Sequence, residues 1–157
     1  LLSFHLTNQK LINMGLDMYV EKVTNPEDPS PIHLITEADY VPFDGAQVEE
    51  FWYWRKHPNL HGWMERLWES KGKPGYDQAN PNPMNDGPMF NGIELELTAE
   101  DLDALERAVV HGQLPSTQGF FFGDDADEHY RESDLEFIKN ARAELFFGLK
   151  VFYNSSW

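Results

Sequence analysis

The sequence predicts a single α+β domain in which about three helices pack on one mainly antiparallel sheet of about five short strands. Three observations support this class. The length of 157 residues suits one domain. Segments that alternate apolar and polar residues are interspersed with segments of helical spacing. No glycine-rich phosphate loop joins a strand to a helix, which argues against a nucleotide-kinase or dinucleotide-binding fold.

The domain is expected to span residues 14–157. The first 13 residues are interpreted as a disordered leader or as upstream translation before a start at Met14. They lack the basic start and long apolar centre of a signal peptide.

Two strands are predicted in the first third of the chain. Leu16, Met18 and Val20 alternate with polar residues, which is typical of a half-buried strand. A second, aromatic strand is predicted over residues 51–56, and strict alternation there places Phe51 on the face of Arg55. Residues 25–46, between them, are rich in proline and are predicted to form a loop.

Three helices follow from capping signals and apolar spacing. Pro58 suits a helix start, and Gly72 suits its end. Thr98 and Asp101 form a predicted capping box for a second helix, which ends at Gly112. A third helix is expected from about residue 128 to 147, with its apolar stripe at Leu135, Ile138, Ala141 and Leu145.

The remaining strands are shorter. Alternation predicts a strand over residues 93–97, an extended segment over 118–123, and a last strand over 149–153. The connection at 73–92, rich in proline, asparagine and glycine, is long enough to suggest a lid or a binding loop.

Composition limits the classes of function. The formal net charge of −15 disfavours nonspecific binding to nucleic acid or anionic lipid, which needs clustered Lys and Arg. It permits a basic protein partner. No apolar run is long enough to cross a membrane. The absence of cysteine excludes disulfides and thiolate metal sites and is consistent with a cytoplasmic protein.

Four segments mix aromatic with charged or polar residues at adjacent positions. This mixture points to a pocket or recognition surface, because a buried charge without a partner costs several kcal/mol. The segments are GLDMY at 15–19, YWRKHPNLHGW at 53–63, LPSTQGFFFG at 114–123 and YNSSW at 153–157.

These segments, in this order, resemble a family of small proteins from bacteriophages and prophages, over residues 14–157. The chain is similar to the branch that carries His-Pro-Asn-Leu-His at 57–61. Some members are labelled phosphoglycerate kinase; we reject that label because the chain is too short for that two-domain enzyme. The resemblance implies an accessory phage protein in the host cytoplasm, with antagonism of host defence as one role. It supplies no catalytic residue.

The sharpest candidate site is the basic pair Arg55 and Lys56, where a strand meets a helix N-terminus. A guanidinium and an ammonium beside free backbone N–H groups suit a phosphate or a carboxylate. The alternative is that Arg55 pairs with Asp17 or Asp124. Asp17 lies with Tyr19 on the polar side of the first predicted strand; a charge within that strand is a local conflict, and such conflicts concentrate at functional sites.

The second candidate site is the segment with three successive phenylalanines, at residues 120–122. Its rings cannot all face one way, so one could stack on a base whose edge Thr117 and Gln118 bind. The alternative is an aromatic strand that fills the core. The full set of predicted ligand-binding residues is Asp17, Tyr19, Tyr53, Arg55, Lys56, His61, Thr117, Gln118, Phe121 and Asp124.

The leading hypothesis is therefore a protein that binds a small anionic ligand, with a nucleotide favoured, and that needs no cofactor. One alternative is an acidic inhibitor of a basic host protein that handles nucleic acid. Another is a small enzyme that uses His61 with Asp17 or Asp124 as acid and base. His57 and His61 have metal-ligand spacing, but two ligands do not make a metal site, and none is predicted.

Overall fold

The computed structural model describes residues 15–24, 47–76, 90–117 and 127–157. This part of the chain forms an α+β domain with three α-helices and four strands. The strands are β1 (Asp17–Thr24), β2 (Gln47–Arg55), β3 (Leu95–Glu96) and β4 (Lys150–Ser156). The helices are α1 (Pro58–Ser70), α2 (Ala99–Val110) and α3 (Asp127–Phe146).

The four strands form one sheet in the order β2-β1-β4-β3, and all neighbours are antiparallel. The predicted α+β class is confirmed, with four strands among the described residues where five were predicted for the whole chain. The missing candidate is the extended segment at 118–123, which lies outside the described residues. Strand β4 reaches Ser156, three residues beyond its predicted end, because it continues to pair with β1 as far as Asp17.

Alternation in β1 is confirmed. Met18 and Val20 are fully buried, whereas Asp17 and Tyr19 are partly exposed on the other side of the sheet. We call the side that faces α1 and α3 the helix side, and the opposite side the outer face.

The prediction for Phe51 was wrong. The register shifts between Val20 and Glu21, so that Phe51 is an extra residue in β2 with no partner in β1. The ring of Phe51 stacks on that of Phe137 in α3 at 6.4 Å, and Trp52 also contacts Phe137, at 6.0 Å. A β-bulge lets two successive side chains face the same side, which strict alternation cannot anticipate.

The core lies between the sheet and the helices. Its largest fully buried side chains include Trp68 and Met64 of α1, Phe137 of α3 and Tyr153 of β4. The predicted stripe of α3 is confirmed and is wider than expected. Ile138 and Ala141 are buried, Leu135 and Leu145 pack against the core partly buried, and Asp134 and Phe137 are buried as well. An aspartate therefore occupies a position that helical spacing would assign to an apolar residue.

Helix α2 has the predicted capping box. The Asp101 N–H donates to Thr98 Oγ1 at 3.2 Å, and the Thr98 N–H donates to Asp101 Oδ2 at 2.8 Å. These two bonds satisfy donors that have no partner inside the helix. In the part of the chain that the structure describes, no helix is long and apolar enough to cross a membrane.

Candidate functional site

The first two sequence segments meet where β2 ends and α1 begins. In the ladder Asp17 lies opposite Arg55, and Tyr19 lies opposite Tyr53. The Tyr53 hydroxyl donates to Asp17 Oδ1 at 2.6 Å, and Arg55 Nε lies 4.0 Å from the same oxygen. Asp17 therefore accepts a short hydrogen bond from the tyrosine and only loosely pairs with the arginine.

Lys56 has a left-handed backbone, with φ of 55°. This conformation strains a residue that has a Cβ. Two hydrogen bonds hold it: the Lys56 N–H donates to the Leu16 carbonyl at 2.8 Å, and the Lys56 carbonyl accepts from the Tyr130 hydroxyl at 3.1 Å. Strain of this kind persists only where the surroundings fix it, and it is common at binding sites.

Gly15 brings the two basic side chains together. A Cβ at Gly15 would lie 3.5 Å from Arg55 Nη2 and 3.5 Å from Lys56 Cε. The two cationic side chains thus lie side by side over the Gly15 backbone, and we call Gly15, Arg55 and Lys56 the junction site. The Arg55 side chain is 53% exposed, so its guanidinium remains accessible from solvent.

The two tyrosines beside the junction site are held in their neutral form. The pKa of Tyr53 is raised, mainly because its hydroxyl donates to the Asp17 carboxylate. Burial, and then the charges of Glu21 and Glu94, raise the pKa of Tyr19. Tyr53 is half exposed, so its ring offers a flat surface next to Arg55.

His61 lies away from this site. It is 1% exposed in the core, where its Nδ1 is 2.8 Å from the Tyr153 hydroxyl and its ring stacks on Phe90 at 5.3 Å. Burial lowers the pKa of His61 to about 4, so the ring is neutral at neutral pH. Its environment is that of a core histidine, on the helix side of the sheet, whereas Asp17 points to the outer face.

Thr117 packs against α1. A Cβ at Gly62 would lie 1.9 Å from Thr117 Oγ1, so only glycine fits at residue 62. The Thr117 N–H donates to Asn59 Oδ1 at 2.8 Å. The glycine between His61 and Trp63 is thus explained by the close packing of Thr117, which follows α2, against α1. The remaining predicted site residues, Gln118, Phe121 and Asp124, lie outside the described residues.

Sequence reasoning missed a buried polar network behind the junction site. Asp134 accepts from Trp54 Nε1 at 3.1 Å, and its second oxygen lies 2.8 Å from His57 Nε2. The His57 ring stacks on Tyr130 at 4.1 Å, and the Tyr130 hydroxyl donates to the Arg55 carbonyl at 2.9 Å. Asp134 and His57 are both buried. The signal that could have found this network is the aspartate at helical core spacing in α3.

The network positions the junction site. Tyr130 holds the carbonyls of Arg55 and Lys56, and His57 anchors the start of α1. Among the described residues, no group of three or more His, Asp or Glu side chains is arranged to hold a metal ion.

Comparisons of this chain with protein-family models, with curated proteins and with solved structures found no match. The resemblance to phage-associated proteins therefore stays a prediction from the sequence segments.

Proposed function

We propose that this protein binds a small anionic ligand at the junction site, with a nucleotide as the favoured class. The observation that carries the proposal is the pair of accessible cationic side chains, Arg55 and Lys56, side by side over Gly15. The chain has 27 acidic and 12 basic residues, so a local excess of positive charge is unusual in it. Two adjacent cations repel each other, and an oxyanion placed between them removes that repulsion.

The chemistry of the two side chains is complementary. Arg55 offers a planar fork that can donate two parallel hydrogen bonds to a phosphate, and Lys56 offers a compact charge. Asp17 and Tyr53 restrict the position of the Arg55 side chain from one side. The exposed Tyr53 ring supplies a surface on which a base can stack, which favours a nucleotide over a simple inorganic anion.

The biological role that we propose follows from the sequence resemblance. An accessory phage protein in the host cytoplasm could bind a host signalling nucleotide and so counter a defence that depends on it. This role needs binding alone, and we do not assign a catalytic step to the site.

Calorimetric titration and thermal shift with nucleotides, cyclic nucleotides and inorganic phosphate test the proposal. A ligand at 100 times its Kd stabilises the fold by about 2.7 kcal/mol, which is readily seen as a rise in Tm. We expect Arg55→Ala to weaken binding at least tenfold and Arg55→Lys to recover part of it. The matched control is Lys139→Ala, which removes an exposed cation from α3. Unchanged affinity in a variant lacking both Arg55 and Lys56, or no binding of any of these anions, would overturn it.

Lys56→Gly sharpens the same test. Glycine adopts the left-handed backbone without strain, so this variant is expected to be about 1 kcal/mol more stable than wild type while binding more weakly. A purely structural role for Lys56 predicts the gain in stability without any loss of binding.

The outer face favours a second candidate, an acidic inhibitor of a basic protein. Glu21, Glu50 and Glu94 lie near one another there, and burial together with the charge of Glu21 raises the pKa of Glu94 to about 7. Binding to a lysine-rich peptide that weakens with salt, and that is lost in Glu21→Gln with Glu50→Gln, would support this function. The enzyme hypothesis finds no such support, because His61 is buried and bonded to Tyr153.

A further inference from the structure

A cleft of about 530 Å³ runs between α1 and α2, formed by described residues that belong to neither the junction site nor the buried network. Each helix contributes one face at helical spacing. Trp63 and Arg66 come from α1; Ala104, Arg107, Ala108 and His111 come from α2 and its C-cap. We call this the interhelical cleft. Its volume lies within the range of about 300–1,000 Å³ that is typical of small-molecule sites.

The charges of the interhelical cleft are distinctive. Arg66 and Arg107 approach it from opposite helices, and His111 follows Arg107 by one helical turn. Among the described residues, neither arginine has a carboxylate within ion-pair distance. Other basic side chains do pair, namely Lys22 with Glu144, Lys71 with Asp101, Arg142 with Glu106 and Lys150 with Glu96.

Helix electrostatics account for only part of this arrangement. Arg107 lies in the last turn of α2 and His111 is its C-cap, where the partial negative charge of the helix end favours cations. The last turn of α1 carries no basic residue, and Arg66 lies before it. The partial charge of the helix end therefore does not stabilise the Arg66 cation. The helix end therefore accounts for the place of Arg107 but not for that of Arg66, and both arginines are exposed and accessible to a ligand in the cleft.

The uncharged residues that line the cleft indicate which chemical group of a ligand would lie beside the arginines. Ala104 and Ala108 are small, so the side of the cleft along α2 is recessed between the longer side chains. Trp63 is half buried and lines the cleft, so a flat ring can pack against its indole. The planar fork of arginine can donate to two oxygens of an oxyanion such as a phosphate or a carboxylate.

We infer that the interhelical cleft is a second ligand site, which takes a small molecule with a flat aromatic ring that bears a phosphate or a carboxylate. Arg66 and Arg107 bind the oxyanion from two sides, and Trp63 packs against the ring. This site does not depend on the proposed function at the junction site, because the two share no residue.

Titrations with four probes identify the chemistry: adenosine monophosphate, naphthoate, inorganic phosphate and uncharged adenosine. We expect binding of adenosine monophosphate or naphthoate, and at least tenfold weaker binding of phosphate and adenosine. Tight binding of adenosine monophosphate with weak binding of naphthoate identifies a purine phosphate as the preferred ligand class; the reverse identifies an aromatic carboxylate. Equal binding of charged and uncharged probes would overturn the inference.

Substitutions locate the binding. Arg66→Ala and Arg107→Ala are each expected to weaken it at least tenfold, whereas a variant lacking Arg55 and Lys56 retains it. The matched control is again Lys139→Ala. If binding is lost in the junction variant and retained without Arg66 and Arg107, the inference fails while the proposed function stands.

A measurement on the unchanged protein covers the case in which an arginine variant does not fold. In ¹H–¹⁵N spectra of wild type, the indole N–H signal of Trp63, assigned with Trp63→Phe, should shift on titration together with the side-chain signals of Arg66 and Arg107. Shifts confined to other residues, or no saturable shift below millimolar probe, would overturn the inference.

Discussion

On the helix side of the sheet, the carboxylate of Asp134 accepts a hydrogen bond from Trp54 and contacts His57, whereas on the outer face the carboxylate of Glu94 lies near that of Glu21. Asp134 is 1% exposed, and both its oxygens have partners within 3.1 Å. Glu94 is partly exposed as a residue; Asn154 donates to its Oε1, whereas Oε2 is buried and has no partner among the described residues.

The difference shows how depth of burial controls the need for compensation. A fully buried carboxylate without partners would cost several kcal/mol, so it is found only where donors surround it. A carboxylate with one oxygen bonded and the other buried without a partner is compensated only in part, and the remaining cost of its charge is expressed as a raised pKa. Removal of a buried carboxylate that has hydrogen-bond partners should therefore destabilise the fold, whereas removal of one that lacks a partner should stabilise it.

The largest expected effect is from Asp134→Ala. This change removes the acceptor of two buried partners and should lower the free energy of unfolding by about 3–5 kcal/mol. Urea denaturation of the purified protein measures it. The control is Glu136→Ala, an exposed carboxylate on the same helix, for which we expect a change within about 0.5 kcal/mol. A loss of less than about 1 kcal/mol for Asp134→Ala would contradict the claim that the buried partners depend on this carboxylate.

A smaller effect is expected from Tyr153→Phe. This change takes away the hydroxyl that lies 2.8 Å from His61 Nδ1 and should destabilise the fold by about 1–3 kcal/mol. Tyr53→Phe is the matched change on the outer face, because that hydroxyl also has one short bond, to Asp17, but is half exposed. Its cost should stay below about 1 kcal/mol. Equal costs would show that depth of burial does not decide the outcome.

The smallest effect has the opposite sign and depends on pH. The pKa of Glu94 is about 7 in the folded protein against an ordinary value of 4.5. Between these values the folded state keeps a proton that the unfolded state has released, so stability from this group falls as pH rises from about 4.5 to 7. Glu94→Gln should therefore stabilise the protein by about 1 kcal/mol at pH 8, after allowance for solvent screening, and leave it unchanged at pH 4.

Thermal denaturation across pH 4 to 8 checks this prediction. Glu96→Gln is the control, because Glu96 lies two residues away and pairs with Lys150 at 3.2 Å, so its removal offers no gain at pH 8. Destabilisation by Glu94→Gln at pH 8 would mean that the carboxylate has a favourable partner in its charged form.

Local signals in the sequence predicted much of the fold. Alternation located β1, Pro58 located the start of α1, and Thr98 with Asp101 formed the predicted capping box. The proximity of Asp17 to Arg55 was also anticipated as one alternative, and the structure places them 4.0 Å apart.

Other features depended on contacts between distant segments. The bulge at Phe51 and the extension of β2 back to Gln47 follow from the register with β1, which no local pattern encodes. Asp134 was missed because its partners, Trp54 and His57, lie nearly eighty residues earlier.

The sequence by itself determined the class of the fold, the helix boundaries and the acidic character of the protein, because these depend on spacing, capping and composition. Only the tertiary structure decided which charges are compensated. It brought Gly15 beneath Arg55 and Lys56, gave Asp134 its buried partners, and set Arg66 opposite Arg107 across the interhelical cleft. The physical reason is that the energy of a charge depends on its burial and on its neighbours in space, and chain folding fixes both.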